Sequence, residues 1–277
     1  LLQLWMNGLN IILDLWFVIG EGWGVQGVAW ASFISEISAL LLGLLLCRNV
    51  WLGKDWRNWS RVFNQHLLLR MMNVNRDILL RTLILQCISV SFLFVAADFG
   101  AVELAATHVL GQFLIVTVFA LDGFAFAAET LVGQAVGSRS RLGLRRSALM
   151  PSCWALGISL LLALAIGQFG NGAIALLSKS QEVQQTAVKY LPFLSLMPVI
   201  GVGSWMLDGI FIGATQTKDM RNMMAVSLLI YGIALISLVP IFDLFGLWTA
   251  LLISLIARGV TLGLCYPNLE KRMLAQI

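Results

Sequence analysis

The amino-acid sequence predicts an all-α polytopic membrane protein with about eight transmembrane helices. Of its 277 residues, 59% are hydrophobic and only 12% are charged, whereas a soluble domain has about 45–50% apolar and about 25% charged residues. The mean hydropathy is +0.88. This composition excludes a soluble enzyme, a disordered tail and a nucleic-acid-binding domain.

Apolar runs separated by charged or glycine-rich breaks define the spans. A helix needs about 20 apolar residues to cross the hydrocarbon core, and eight runs meet that need: 1–19, 25–47, 78–97, 104–136, 148–169, 188–214, 220–242 and 247–266. The chain begins with Leu1 inside such a run and shows no signal-peptide pattern. We therefore expect an N-terminal part to be missing from this sequence.

Basic residues concentrate in alternate connections between the spans. One side holds 14 of the 18 lysine and arginine residues: Arg48, Lys54, Arg57, Arg61, Arg70, Arg76, Arg139, Arg141, Arg145, Arg146, Lys218, Arg221, Lys271 and Arg272. The opposite connections are acidic apart from Lys179. The positive-inside rule places the basic side and the C-terminus in the cytoplasm. The net charge of +4 thus reflects topology, and we expect a bilayer but no nucleic acid as partner.

A short internal repeat links the second and eighth spans. Gly27, Ala31, Ile34 and Ser35 recur with the same spacing as Gly246, Ala250, Ile253 and Ser254. The two copies are six spans apart, so they have the same orientation. This pattern predicts two parallel halves of six helices each, related by an axis along the membrane normal.

Polar side chains inside the spans are candidate functional residues, because ionisable groups within a bilayer are costly and mark ion or substrate pathways. Asn10 and Asp14 are four residues apart and lie on one face of the first span. A buried carboxylate that a carboxamide orients can exchange a proton or Na⁺. The alternative is a hydrogen bond that packs helices together near the outer end.

Two further acids open matching motifs, Leu121-Asp-Gly-Phe124 and Leu207-Asp-Gly-Ile210. Both spans run inward, so we expect Asp122 and Asp208 to face a shared cavity and handle cation or substrate. The alternative is a buried acid neutralised by Arg81 or another base.

Asp77 and Arg81 are four residues apart in the order that favours an ion pair. A structural pair and a substrate or coupling role both remain open for them. Glu129 lies two turns from Asp122 on the same face, where it belongs either to the cavity or to its cytoplasmic rim. Glu36 and Arg258 have no evident partner, and we interpret both as structural.

Several segments, in order, resemble the multidrug and toxic compound extrusion (MATE) family, and in particular its DinF-type branch. They are Asn10-Ile-Ile-Leu-Asp-Leu-Trp-Phe-Val18, Gly22-Trp-Gly-Val-Gln-Gly27, Asn75-Arg-Asp-Ile-Leu-Leu-Arg-Thr82, Ala120-Leu-Asp-Gly-Phe-Ala-Phe-Ala-Ala-Glu129, Val132-Gly-Gln-Ala-Val-Gly137 and Leu207-Asp-Gly-Ile-Phe-Ile-Gly-Ala-Thr215. The resemblance covers essentially the whole chain. It implies two six-helix lobes around a central cavity, with this chain forming the C-terminal two-thirds of the 12-helix fold.

On that mapping, residues 1–47 are the last two helices of the N-lobe, 48–76 a cytoplasmic linker and 77–277 the complete C-lobe. The resemblance implies that Asn10 and Asp14 belong to an N-lobe cation site. It also places Asp208 where Na⁺-coupled members carry a cation-binding acid. Those members use a glutamate on the helix that here reads Asp77-Ile-Leu-Leu-Arg81, which puts a C-lobe Na⁺ site in doubt.

We therefore predict a secondary antiporter of the bacterial inner membrane, not an enzyme, that exports amphipathic and often cationic organic compounds in exchange for H⁺ or Na⁺. Asp14 with Asn10 would exchange the cation, and Asp122 and Asp208 would set the negative charge of the cavity. We expect small-molecule substrates, no cofactor, no metal and a monomer at full length. The alternatives are a lipid-linked oligosaccharide flippase, which would show a more cationic cavity, and a non-transporting membrane remnant or interaction protein.

Overall fold

The computed structural model describes residues 2–49, 60 and 63–274. Within these residues the fold is all-helical, as predicted. The helices are α1 (Leu2–Asp14), which continues as a π-helical segment (Leu15–Gly20), α2 (Gly24–Leu46), α3 (Gln65–Asp98), α4 (Ala101–Gly137), α5 (Arg141–Leu177), α6 (Gln181–Gly213) and a last stretch, Thr217–Leu274.

The last helical stretch is two helices. Asp243 has φ 50° and ψ −132°, which interrupts the helix and divides it into α7 (217–242) and α8 (244–274). At about 1.5 Å per residue, α7 and α8 are each longer than the ~30 Å thickness of the hydrocarbon core. Seven stretches of the described chain are apolar and long enough to cross a membrane, and the break at Asp243 makes the eight predicted spans. The chain is a multi-pass membrane protein.

On the basic side of the protein, two helices begin seven or more residues before their apolar runs. α3 starts at Gln65, and α5 starts at Arg141, although the predicted spans start at 78 and 148. The additional turns carry Arg70, Arg76 and Arg145, so hydropathy does not detect them. These helices extend beyond the apolar zone on the basic side of the protein.

The chain divides into two compact units, Leu1–Leu69 and Arg70–Ile277. The first contains α1 and α2, and the second contains the six helices from α3 to α8, apart from the first turn of α3. The proposed division into 1–47, 48–76 and 77–277 stays a prediction, and residues 65–76 of its linker are helical in α3. Lys54, Arg57 and Arg61 of that linker lie outside the described residues.

The internal repeat corresponds to two helix-packing faces made of small residues. On α2, Ala31 and Ser35 are buried, and a Cβ at Gly27 would lie 3.0 Å from Phe17 Cβ. The second copy has the same character, since Ala250 and Ser254 are buried and a Cβ at Gly246 would lie 2.4 Å from the Leu238 carbonyl oxygen. Small residues four apart let α2 and α8 approach the helices that precede them.

The six-helix unit contains two large apolar cores, one at each end. One core surrounds Trp248, whose indole is 1% exposed and meets the Phe92 ring edge-on at 5.1 Å between centroids. The other surrounds Leu121, Phe211 and Met220. Helix α6 supplies residues to both cores and packs against α4, α5 and the α7–α8 pair.

Helices α4 and α6 cross with their backbones in close approach. A Cβ at Gly209 would lie 2.4 Å from the Ala125 carbonyl oxygen, and one at Gly213 would lie 2.3 Å from the Glu129 carbonyl oxygen. The two glycines are four residues apart, which is the small-residue spacing that membrane helices use for tight crossings. This crossing fixes the position of Asp208, which directly precedes Gly209.

Gly209→Ala is expected to destabilise the protein by about 1–3 kcal/mol, because the added methyl group cannot fit without separating the two helices. The matched control is Gly123→Ala in the other Leu-Asp-Gly motif, where a Cβ meets nothing within 4 Å. That change should be neutral or slightly stabilising, since alanine is the better helix former by about 1 kcal/mol. Thermal unfolding of the detergent-solubilised variants measures both effects. Equal unfolding temperatures for the two variants would contradict this account of the crossing.

Candidate functional site

Three helices bring together a buried charged cluster, Arg81 on α3, Asp208 on α6 and Arg258 on α8. Both guanidinium groups form ion pairs with Oδ2 of Asp208. The exposed side-chain fractions are 17% for Arg81, 7% for Asp208 and 4% for Arg258. A carboxylate held in this way is neutralised by its partners, so Asp208 does not present a free negative charge.

Asp77 has partners other than Arg81. Its Oδ1 accepts a hydrogen bond of 2.6 Å from Nη1 of Arg221, and Arg76 lies 3.5 Å away. Arg221 stands near the start of α7, so this pair ties α3 to α7. The local spacing of Asp77 and Arg81 suggested a pair within α3, but both side chains instead bond to other helices.

A cavity of about 290 Å³ lies beside the buried cluster. Arg81, Arg258 and Asp122 line it, together with mainly apolar side chains from α3, α4, α6, α7 and α8. Asp122 is half-buried and within electrostatic range of both arginines. The structure therefore brings Asp122 and Arg81 to one cavity, while Asp208 contacts the same arginines from α6.

Asp14 lies in the first unit, where the α-helical part of α1 changes to the π-helical segment. The Asn10 amide donates a hydrogen bond of 3.4 Å to Ser32 Oγ. In the other orientation of the Asn10 amide, with its side-chain oxygen and nitrogen exchanged, the nitrogen donates to Asp14 Oδ2 at 3.3 Å. The oxygen then accepts a hydrogen bond from the Ser32 N–H, also at 3.3 Å. The predicted neighbours Asn10 and Asp14 are thus close together, and Asn10 contacts α2 through Ser32.

Among the described residues, Asp14 forms no ion pair, and its Oδ1 has no hydrogen-bond partner although it is buried. The lack of an ion pair distinguishes Asp14 from Asp77 and Asp208, which arginines neutralise, although Oδ1 of Asp208 also has no hydrogen-bond partner among the described residues. π-Helical segments occur frequently at functional sites. Asp14 is therefore an intramembrane acid with one oxygen available to a cation.

Arg258 is a site residue that the sequence patterns did not indicate. An unpaired arginine within an apolar span is itself a signal, because such a group needs an acidic partner. Its contact with Asp208 joins residues 50 positions apart, so no local spacing reveals it. Glu129 is half-buried on α4, and its backbone lies at the crossing with Gly213.

A second charged cluster lies on the basic side of the six-helix unit. Glu270 Oε1 accepts hydrogen bonds of 2.7 Å from Nε of Arg145 and from Nε of Arg141. These hydrogen bonds lower the pKa of Glu270, first through Arg145 and then through Arg141. Nearby, Arg272 donates 2.6 Å and 3.0 Å hydrogen bonds to Asp219 and Gln216. The end of α8 is thereby attached to the start of α5 and of α7.

Glu270→Gln is expected to lower the unfolding temperature by a few degrees at pH 7. Because the folded-state pKa of Glu270 is lowered, its contribution to stability is complete above the unfolded-state pKa of about 4.3 and disappears as the pH falls through the folded-state value. The difference in unfolding temperature between wild type and variant should therefore disappear below about pH 4. Thermal unfolding from pH 3 to pH 7 measures this, and a constant difference over that range would contradict it.

Comparison with known proteins agrees with this architecture. The MatE family model matches residues 78–238. DNA damage-inducible protein F of Escherichia coli (strain K12) is 38% identical over 270 residues, covering 93% of this chain and 56% of its own length. Protein DETOXIFICATION 42 of Arabidopsis thaliana is 25% identical over 90% of this chain and 48% of its own. The chain thus spans about half the length of these curated relatives.

A solved structure shows the same fold. The Vibrio cholerae MATE transporter VcmN in its bent form superposes with a TM-score of 0.85 at 19% identity, over 98% of this chain and 62% of that one. The predicted resemblance to the MATE family and to its DinF branch is confirmed. Since the family model covers more than half of the residues, this chain belongs to the MatE family.

Proposed function

We propose that this chain is part of a secondary antiporter that exports amphipathic organic compounds, cationic ones among them, in exchange for H⁺ or Na⁺. Transport would proceed by alternating access between two lobes. Membership of the MatE family supports transport as the activity. The positions of the acids support exchange of a cation at one of them, Asp14.

One observation carries the assignment of Asp14. Its carboxylate is half-buried in a membrane helix, and its Oδ1 has no hydrogen-bond partner. It forms no ion pair among the described residues, and the amide of Asn10, which can donate to its Oδ2, carries no net charge. An acid of this kind can gain and lose a cation without breaking an ion pair. Asp208 would first have to break its pairs with Arg81 and Arg258.

The remaining assignments follow the charge distribution. We propose the bacterial inner membrane as location, with the basic connections and the C-terminus in the cytoplasm. The partners are small-molecule substrates and the lipid bilayer, and the whole protein works as a monomer. No cofactor is needed, because the energy comes from the H⁺ or Na⁺ gradient.

Proteoliposomes containing the full product of the gene test the proposal. Ethidium serves as the cationic substrate, and its movement is followed by fluorescence after a pH gradient or a Na⁺ gradient is imposed. One of the two gradients should drive ethidium movement several-fold above that of protein-free liposomes, and an ionophore that dissipates that gradient should abolish it. Well-folded protein that responds to neither gradient would contradict the proposal.

A further inference from the structure

A groove of about 420 Å³ lies on the basic side of the six-helix unit, between α5, α6 and α8. Its lining is charged at Arg145 and Glu270 and apolar at Leu149 and Leu207. Arg145 lies one turn into α5, and Leu149 lies one turn further along, where the apolar run of this helix begins. The groove therefore changes from charged to apolar over one helical turn, as a bilayer does from its headgroups to its acyl chains.

Glu270 holds two arginine side chains of α5 next to each other at the charged end of this groove. Its Oε1 accepts hydrogen bonds from Nε of Arg141 and of Arg145, and its Oε2 accepts one from Nη2 of Arg145. Within the described chain, both Nη atoms of Arg141 and Nη1 of Arg145 have no acceptor. Since both arginine side chains are about half exposed, these donors can reach a ligand outside the protein.

The charge at this end of α5 is positive even after its ion pairs are counted. Four arginines lie within residues 139–146: Arg139, Arg141, Arg145 and Arg146. Among the described residues, Glu270 is the one acid that forms an ion pair with any of them. Asp219, another acid on the same side, pairs with Arg272 instead. Four cations thus face one anion, and the excess is available to an anionic ligand.

We propose that this groove binds an anionic glycerophospholipid from the leaflet on the basic side, with its phosphate against Arg141 and Arg145. An acyl chain of the lipid then lies along Leu149 and Leu207. Arginine suits phosphate because its planar fork of donors matches two phosphate oxygens, and basic pockets between membrane helices bind lipid headgroups in this way. The Tyr266 hydroxyl, which has no hydrogen bond within the described chain, adds a donor at the headgroup level.

The apolar part of the groove favours a lipid over a soluble phosphate compound. Leu149 is 64% exposed, and an acyl chain covers its surface, whereas a phosphate ion leaves it bare. The charge favours an anionic headgroup over a zwitterionic one, because the choline cation of a zwitterionic lipid meets the excess positive charge and is repelled. The lipid site is separate from the acids to which we assign antiport and does not depend on them.

Native mass spectrometry of the full gene product, delipidated in a non-ionic detergent, tests the proposal. The probes are phosphatidylglycerol and phosphatidylcholine with the same acyl chains, and soluble glycerol 3-phosphate. The first phosphatidylglycerol should bind about tenfold more tightly than phosphatidylcholine, and glycerol 3-phosphate should not bind at the same concentrations. Arg141→Gln should weaken phosphatidylglycerol binding about fivefold and leave phosphatidylcholine binding unchanged. Arg145 keeps both of its hydrogen bonds to Glu270 in this variant.

Arg70→Gln is the matched control, since it removes the same charge from an exposed arginine on the basic side of α3 and should leave both affinities unchanged. If Arg141→Gln does not fold, Leu149→Glu replaces it, because a carboxylate beside the headgroup should remove the preference for phosphatidylglycerol. Equal binding of the two lipids to wild type, or equal loss in the Arg141 and Arg70 variants, would overturn the proposal. Binding of glycerol 3-phosphate as tight as that of the lipid would also overturn it and identify a site for soluble phosphate.

Discussion

Asp14→Asn is expected to reduce gradient-driven efflux to the level of protein-free membranes, while the variant still inserts and folds. Asparagine has nearly the same shape as aspartate and can still interact with Asn10, but it cannot bind and release a proton and it attracts Na⁺ only weakly. Coupling is lost because no charge changes at this position during the transport cycle. Efflux of ethidium from cells or liposomes containing the full gene product measures the effect.

Glu36→Gln is the matched control for this substitution. Glu36 lies on α2 in the same unit and is exposed, so removal of its charge should leave efflux close to wild type. The experiment also needs equal amounts of the two variants in the membrane. Wild-type efflux by the Asp14 variant would show that the exchanged cation binds elsewhere.

Asp208→Asn is expected to destabilise the protein by about 3–5 kcal/mol, because it leaves two buried guanidinium groups without a counter-charge. Loss of the monodisperse species on heating in detergent measures this. Asp122→Asn is the matched control, since it makes the same change in the same Leu-Asp-Gly context. Asp122 has no ion pair among the described residues, so its variant should unfold near the wild-type temperature.

A triple variant separates loss of the ion pairs from other effects of Asp208→Asn. Replacing Arg81 and Arg258 by methionine in the Asp208→Asn background removes every charge of the cluster together. Replacing a buried charged group by apolar side chains of similar volume is often close to neutral, so most of the lost stability should return. If the triple variant is no more stable than Asp208→Asn, the ion pairs are not what stabilises this region.

Local patterns in the sequence predicted what depends on local geometry. The eight spans follow from apolar runs, and the proximity of Asn10 to Asp14 follows from a spacing of four residues on a helix. The small-residue repeat at Gly27 and Gly246 was visible as well, although its meaning as a packing face against the preceding helix required the structure.

Long-range pairing could not be decided from the sequence, which offered neutralisation by Arg81 only as an alternative for Asp122 and Asp208. Asp77 and Arg221 are 144 residues apart, and Arg81 and Asp208 are 127 apart, so their contacts depend on how the helices pack. The expectation of a free negative charge at Asp208 is at variance with its ion pairs for this reason. The helical turns of α3 before residue 78 were missed because their arginines lower the local hydropathy.

The most direct test of the central claim is cation release when substrate binds. Purified gene product in a weakly buffered solution, or loaded with radioactive Na⁺, is mixed with ethidium, and the released H⁺ or Na⁺ is counted per protein. Wild type and the Glu36→Gln variant should each release about one cation, and Asp14→Asn should release none. Undiminished release from the Asp14→Asn variant would contradict the account and assign the exchange to another acid.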